Sequence, residues 1–442
     1  MEFLRDMQKE EIFIRYVHQL AQLQDDARNP TEAGLALRLH ADLYDWDPTK
    51  IVPPLLDPEF PAQFQFDRKE KIYFDIIKHF EDGEAWSSAL NAYQELQEQY
   101  QNNVYDFPKL ARTQRAIATI YETISKSDKL IPKYFCVVYK GMGFPPSLRD
   151  KEFVYEGSPT ERTTQFTDRM QEQHPSAQIV TSGDVEDVEG QFLQISALSP
   201  HRDLEHHVFQ RARVPQMVRD YLLSTNPFLF SVTSKRNTSG PVTEHSAEKI
   251  IYKALESFPT ILQRSEIVSV DRIHLSPVQT ALERIIRKTA EMVVVEKKVS
   301  EGEADMAPLL IDALNISVAM NSETTVAWYR DLLPTLIADE EVEELELSPL
   351  ENALKIALID HAVMVKRCLT MLAKLPKSSL AGSSLTLEEL SQSAYFLPTP
   401  PFDYGLQIEI NNVLADFEST FAPELASFTF PQAVRDPTPV PS

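Results

Sequence analysis

The sequence predicts a mainly α protein with a small antiparallel β lobe, an α+β chain of three lobes: helical-repeat-like, β-sheet and helical. Three observations carry this. Apolar residues recur at helical spacing from residue 1 to about 130. The period then changes to short runs of strand type over residues 131–243. Helical signals return over residues 244–376, before a last segment, 377–442, with a linker, a C-terminal helix and a Pro-rich tail.

In the first lobe Ile14, Val17, Leu20 and Leu23 share one helical face, and Leu35, Leu39 and Leu43 do the same after the Asn29-Pro30-Thr31 opening. A third helix runs through Ile72, Phe74, Ile77 and Phe80 and stops at Asp82-Gly83, where glycine suits a left-handed cap. The next begins at Glu84-Ala85-Trp86 and carries Ala89, Leu90, Tyr93 and Leu96, an echo of a tetratricopeptide-like helix pair. A further helix spans Pro108 to Lys126.

The second lobe opens with the run from Lys133 to Gly157. Bulky strand residues, a Gly/Pro turn and a second short strand read as a β-hairpin. Phe192-Leu193-Gln194-Ile195 and Phe228 to Val232 are further strand runs, and Thr181 to Gly190 is an acidic loop. In the third lobe Glu244-His245 with Glu248 reads as a helix start. Leu275-Ser276-Pro277-Val278-Gln279 combines a serine N-cap, proline at the first helical position and glutamine at the third; Leu347-Ser348-Pro349-Leu350-Glu351 repeats it with glutamate. Between them, Ala307 to Leu333 is helical in pattern but broken near Ser317 to Ser322. Asp339 to Glu346 is an acidic run and Lys377 to Thr386 a Ser/Gly linker. The proline-rich end from Ala422 is either disordered or a polyproline ligand.

Composition narrows the function classes. A formal net charge of -23 opposes non-specific binding to nucleic acid or an anionic membrane. Two cysteines, Cys136 and Cys368, cannot build a disulfide scaffold, and they suit a reducing cytoplasmic setting. No stretch approaches the roughly 18 apolar residues of a membrane span. No phosphate loop, dinucleotide fingerprint, nucleophile elbow or zinc-protease helix occurs. The cluster His201-Arg202-Asp203-Leu204-Glu205-His206-His207 includes a competing cation, and adjacent histidines on a strand point apart, so it reads as a polar connection and not a metal site. No cofactor is expected.

The segment Tyr134 to Gly157 resembles the start of the sheet lobe in the exchange domain of the DOCK (dedicator of cytokinesis) proteins, departing from it at Ser147, Asp150 and Glu156. The resemblance runs in the family's order over residues 10–335. Phe66 to Tyr100 resembles its first-lobe helices, Asp187 to Gln194 the strand after the hairpin, and Leu275-Ser276-Pro277 the Ile-Ser-Pro before its first long third-lobe helix. This implies a dimerising helical lobe, a sheet lobe, and a catalytic helical lobe that with the sheet lobe grips a Rho-type, Rac-like small GTPase. The implied activity is guanine nucleotide exchange, in which no covalent bond changes.

In that family a valine on a loop interrupting a third-lobe helix occludes the GTPase's magnesium site. Here the corresponding break is Leu314 to Ser322, which puts Met320 in the sensor position with Val318 as second candidate and Asn321 matching the family's asparagine. Either these residues serve exchange, or Met320 and Val318 are helix core. Asn315, Leu275, Ser276, Pro277, Tyr139, Met142 and Phe144 are the expected partner contacts. The rival reading is a non-catalytic helical scaffold that binds a GTPase without releasing its nucleotide.

Overall fold

The computed structural model describes residues 10–126, 131–180, 189–204, 206–210, 214–237, 241–302, 307–318, 329, 332–333 and 348–372. The linker and the proline-rich tail expected after residue 376, and the acidic run Asp339 to Glu346, lie outside them. The chain divides into two units. One comprises the residues up to Asp203 with Arg211–Arg236 and Ala247–His274; the other comprises Leu204–Gln210, Asn237–Ser246 and the residues from Leu275 on.

The first unit begins with α1 (Glu10–Asp26) and α2 (Pro30–Ala41). Short strand pairs follow: β1 (Ile51–Val52) with β4 (Gln63–Phe64), enclosing β2 (Leu55–Leu56) with β3 (Glu59–Phe60). Then come α3 (Gln65–Asp82), α4 (Trp86–Asn102) and α5 (Phe107–Lys126), each packed on its predecessor. The core face of α2 lies beside the expected leucine stripe. Ala33, Gly34, Ala36, Leu37, His40 and Ala41 are buried, while Leu35 and Leu39 are only partly covered. Small residues there let α3 come close: a Cβ on Gly34 would stand 2.8 Å from Phe80.

Gly83 likewise serves contact and not conformation. Its φ is -90°, and the left-handed residue is Glu84 at 51°. A side chain at Gly83 would meet Thr31 Oγ1 at 2.2 Å. The expected left-handed glycine cap is therefore displaced by one residue.

The β region is a closed six-stranded barrel and not a small open antiparallel sheet. Its strands are β5 (Lys133–Lys140), β6 (Glu152–Gly157), β8 (Gln191–Pro200), β9 (Leu229–Asn237), β10 (Ser246–Ala254) and β11 (Arg264–Leu275); β7 (Ala177–Ile179) adds to β8 in parallel outside the ring. The ring runs β5-β6-β11-β10-β9-β8 and returns to β5, with Tyr134 opposite Leu198 and Lys140 opposite Phe192. The helix start expected at Glu244 is thus a correction: the residues from Ser246 to Leu275 are mostly strand. Ile250, Ile251 and Tyr252, then Ile267, Val268 and Val270, are the β-branched and aromatic residues that would have signalled it.

Strand β5 is apolar almost throughout because both its faces are covered. Tyr134 and Cys136 pack with Val154, Leu198, Phe230, Ala254 and Phe258 in one core. Phe135, Val137 and Tyr139 face a second core completed by α6 (Thr163–Gln173), whose Phe166 stacks on Phe135 at 4.1 Å. Two-residue periodicity with cover on both sides gives a continuous hydrophobic run. A helix α7 (Gln216–Ser224) precedes β9.

In the second unit α8 (Pro277–Ser300), α9 (Ala307–Val318) and α10 (Pro349–Leu372) pack on one another. A 3-10 turn at His207–Gln210 belongs here as well. The rings of His206 and His207 lie 4.3 Å apart, so these neighbours do not diverge as they would on a strand.

Candidate functional site

The hairpin tip is held by backbone contacts that only glycine permits. Gly143 N donates to Gly190 O at 2.8 Å, and the Gln191 carboxamide donates to Gly143 O at 2.8 Å. Gly141 and Gly190 have φ of 97° and 128°, a region open chiefly to glycine. A Cβ on Gly141 or Gly143 would stand 2.6 or 2.7 Å from Gly190 O. Arg149 closes the loop from the other side, its guanidinium donating to Met142 O and Phe144 O, both at 3.0 Å.

This clamp sorts the three expected hairpin contacts. Met142 is 53% exposed at the tip. Tyr139 and Phe144 are buried, stacked edge to face with His174 against both rings. The Tyr139 hydroxyl meets that of Tyr155, which accepts from Arg264 at 3.0 Å. Burial and the neighbouring Tyr155 push the Tyr139 phenol upward, while burial and Arg264 hold His174 below its ordinary value. Tyr139 and Phe144 therefore fix the tip from within, and Met142 is what they present. Arg149, Gly190 and Gln191 were not singled out by sequence; a Gly-x-Gly turn with a nearby arginine was the available signal.

The second element is the start of α8. Leu275 is buried, Ser276 is exposed and Pro277 occupies the first helical position. Gln279 N donates to Ser276 Oγ at 3.2 Å and Ser276 N donates to Gln279 Oε1 at 3.0 Å, the reciprocal capping box expected from the spacing. Ser348 and Glu351 repeat it at α10, at 2.8 and 3.3 Å.

The third element is α9. Its Ala307, Leu310 and Ile311 are buried against Met292 and Val293 of α8 and Met364 and Cys368 of α10. Asn315 and Val318 lie in its final turns, and Met320 and Asn321 lie outside the described residues. Nearby, Arg367 grips the Glu296 carboxylate with bonds of 3.1 and 2.6 Å. Burial, with Glu296 beside it, pushes the Cys368 thiol up to about 12; burial does the same to Cys136. Both thiols stay protonated near neutral pH and are poor nucleophiles. Among the described residues no three His, Cys, Asp or Glu side chains converge on a metal position. What these elements offer is shaped and capped surface.

No family model matches the chain. It is 27% identical over 411 residues to a Saccharomyces cerevisiae protein named DOCK-like protein 1, covering 89% of this chain and 21% of that protein. It is 29% identical over 297 residues to human dedicator of cytokinesis protein 4, covering 65% of this chain and 15% of that protein. The chain belongs to the DOCK family. Human dedicator of cytokinesis protein 3 is likewise 29% identical over 298 residues. This DOCK-family chain spans about a fifth or less of the length of the curated relatives it matches.

Proposed function

We propose that this chain is a guanine nucleotide exchange region acting on a Rho-type, Rac-like small GTPase in the cytoplasm. The observation that carries the reading is family membership, joined to a helix, α9, that is buried by two long neighbours and leads into the segment holding Met320. The clamped hairpin tip with exposed Met142, and the capped start of α8, support it as rigid partner contacts.

The proposed mechanism is negative coupling. GDP held at nanomolar affinity is worth about 12 kcal/mol, so the factor must prefer the nucleotide-free GTPase by a comparable amount. By linkage, GTP then expels the factor. Met320, with Val318 as the alternative, is apolar and offers no hard oxygen ligand, so it would exclude the GTPase's magnesium, which demands oxygen. Asn315 and Asn321 would make polar contacts at the same surface. Residues 1–130 would join two copies; a monomeric mass by light scattering at micromolar concentration would count against that.

Release of fluorescent GDP from a panel of Rho-family GTPases tests the reading, and no acceleration with any of them would sink it. If exchange occurs but neither Met320→Ala nor Val318→Ala slows it, the sensor assignment fails. The scaffold reading is favoured by the sensor segment itself, which has methionine where the family has valine and lacks the glycine that follows. Tight binding of a nucleotide-free GTPase without GDP release would establish it.

A further inference from the structure

The repeated caps of α8 and α10 extend into the helices themselves. Ser276-Pro277, Ala281-Leu282 and Met292-Val293 recur as Ser348-Pro349, Ala353-Leu354 and Met364-Val365. Thr289 and His361, separated by the same 72 positions, touch each other at 2.9 Å. Further along both helices Glu296 meets Arg367. Contacts that advance together in both helices mean that α8 and α10 run parallel and in register. Leu282, Ile285, Thr289, Met292, Glu296 and Val299 are all buried, with the alternating three- and four-residue spacing of a heptad seam. Leu354, Ala357, His361, Met364 and Cys368 give the same spacing opposite.

The Thr289–His361 contact is the more deeply buried of two polar layers in this seam, one heptad before the Glu296–Arg367 pair. The Thr289 hydroxyl donates to Ile285 O at 2.9 Å, which commits its one proton. It must then accept from His361 Nδ1–H, and this assigns the tautomer. His361 Nε2 is left without a hydrogen-bond partner among the described residues. Both side chains are almost fully buried. A slipped register would strand two buried polar groups in an apolar seam, so this layer specifies alignment in the way a single polar core residue does in a coiled coil. The next layer, Met292 with Met364, is the one on which Leu310 and Ile311 of α9 rest.

We propose that Thr289 and His361 are positioning residues: they lock the register of α8 against α10, and through the methionine layer they set the position of α9. The functional part of this rests on the exchange reading above. The register part does not.

The test compares two double variants of the full chain, Thr289→Val/His361→Leu and the exchanged pair Thr289→His/His361→Thr. In a parallel in-register pair the two positions are equivalent, so the exchanged pair can rebuild the layer. The readouts are urea unfolding and GDP release at saturating factor. The apolar double is expected to keep its unfolding midpoint yet lose between about tenfold and a hundredfold in maximal release, the scale set by an ångström of misplacement. The exchanged pair is expected to recover most of that rate.

An apolar double that releases GDP at the wild-type maximum would overturn the positioning role. If that variant does not fold, the exchanged pair decides: a wild-type maximum supports the proposal, and a folded protein with reduced release overturns it. If the wild type itself releases no GDP, the exchange reading is lost and disulfide trapping judges the lock. Leu282→Cys/Leu354→Cys, one heptad earlier, should trap efficiently with the native layer and poorly with the apolar one. Equal trapping in both would overturn it.

Discussion

Replacing Gly141 or Gly143 by alanine separates two causes of strain at the hairpin tip. Both added methyls would strike the same backbone oxygen, Gly190 O, at 2.6 and 2.7 Å. Crowding a packed site in this way costs about 1–3 kcal/mol. Only Gly141 also has a positive φ, 97°, where an L side chain costs a further ~1–2 kcal/mol. Gly143→Ala is therefore expected to destabilise by about 2 kcal/mol and Gly141→Ala by about 3–4 kcal/mol. Relief requires the tip to move away from Gly190, which would break the Gly143–Gly190 hydrogen bond and displace Met142. Urea unfolding followed by circular dichroism measures both costs, and binding to a nucleotide-free GTPase measures the displacement. If the two variants lose equal stability, the conformational part of the reasoning is wrong. If neither loses more than about 0.5 kcal/mol, a cost within the range of ordinary surface changes, the clamp itself is refuted.

Three further outcomes are expected. Ser276→Ala removes the α8 cap and should cost about 1 kcal/mol in urea unfolding, with Ser276→Asp recovering most of it. Arg367→Met leaves the mostly buried Glu296 carboxylate unpaired and should cost about 3 kcal/mol at neutral pH; the double change with Glu296→Leu should regain much of that loss. His361 is held at about 4 by burial, with Lys288 adding to the effect, against an ordinary value of 6.5. Because the folded value is the lower one, the unfolded chain takes up the proton first as pH falls. Stability should therefore be intact above about pH 6.5, decline toward pH 4 and level off below it. The gap corresponds to about 3 kcal/mol. Unfolding midpoints from pH 7 to 4 should fall less steeply in His361→Leu, and identical slopes would contradict this. His40 and His201, also held low by burial, add a background common to both proteins.

By itself the sequence determined whatever is set within a few neighbouring residues. The hairpin, the helices of residues 10–126 and the Ser276 cap follow from local periodicity and capping chemistry, which act over one turn or one strand. The family too was legible there, because a contiguous string carries it. Closure of the barrel was not. Closure depends on β11 pairing with β6 and β5 with β8, strands far apart in the chain, and Val268 and Val270 give no clean alternation because both faces of β11 are exposed near them. The same limit applied to the contact residues. Tyr139, Phe144 and Met142 are all bulky hairpin residues, and only packing against α6 and the Gly190 loop divides the two that are buried from the one that is presented. The two Leu-Ser-Pro caps were visible as a repeated signal. That their helices lie parallel, with Thr289 against His361, was decided by tertiary packing, since a helix's own sequence fixes which face it buries but not which neighbour covers that face.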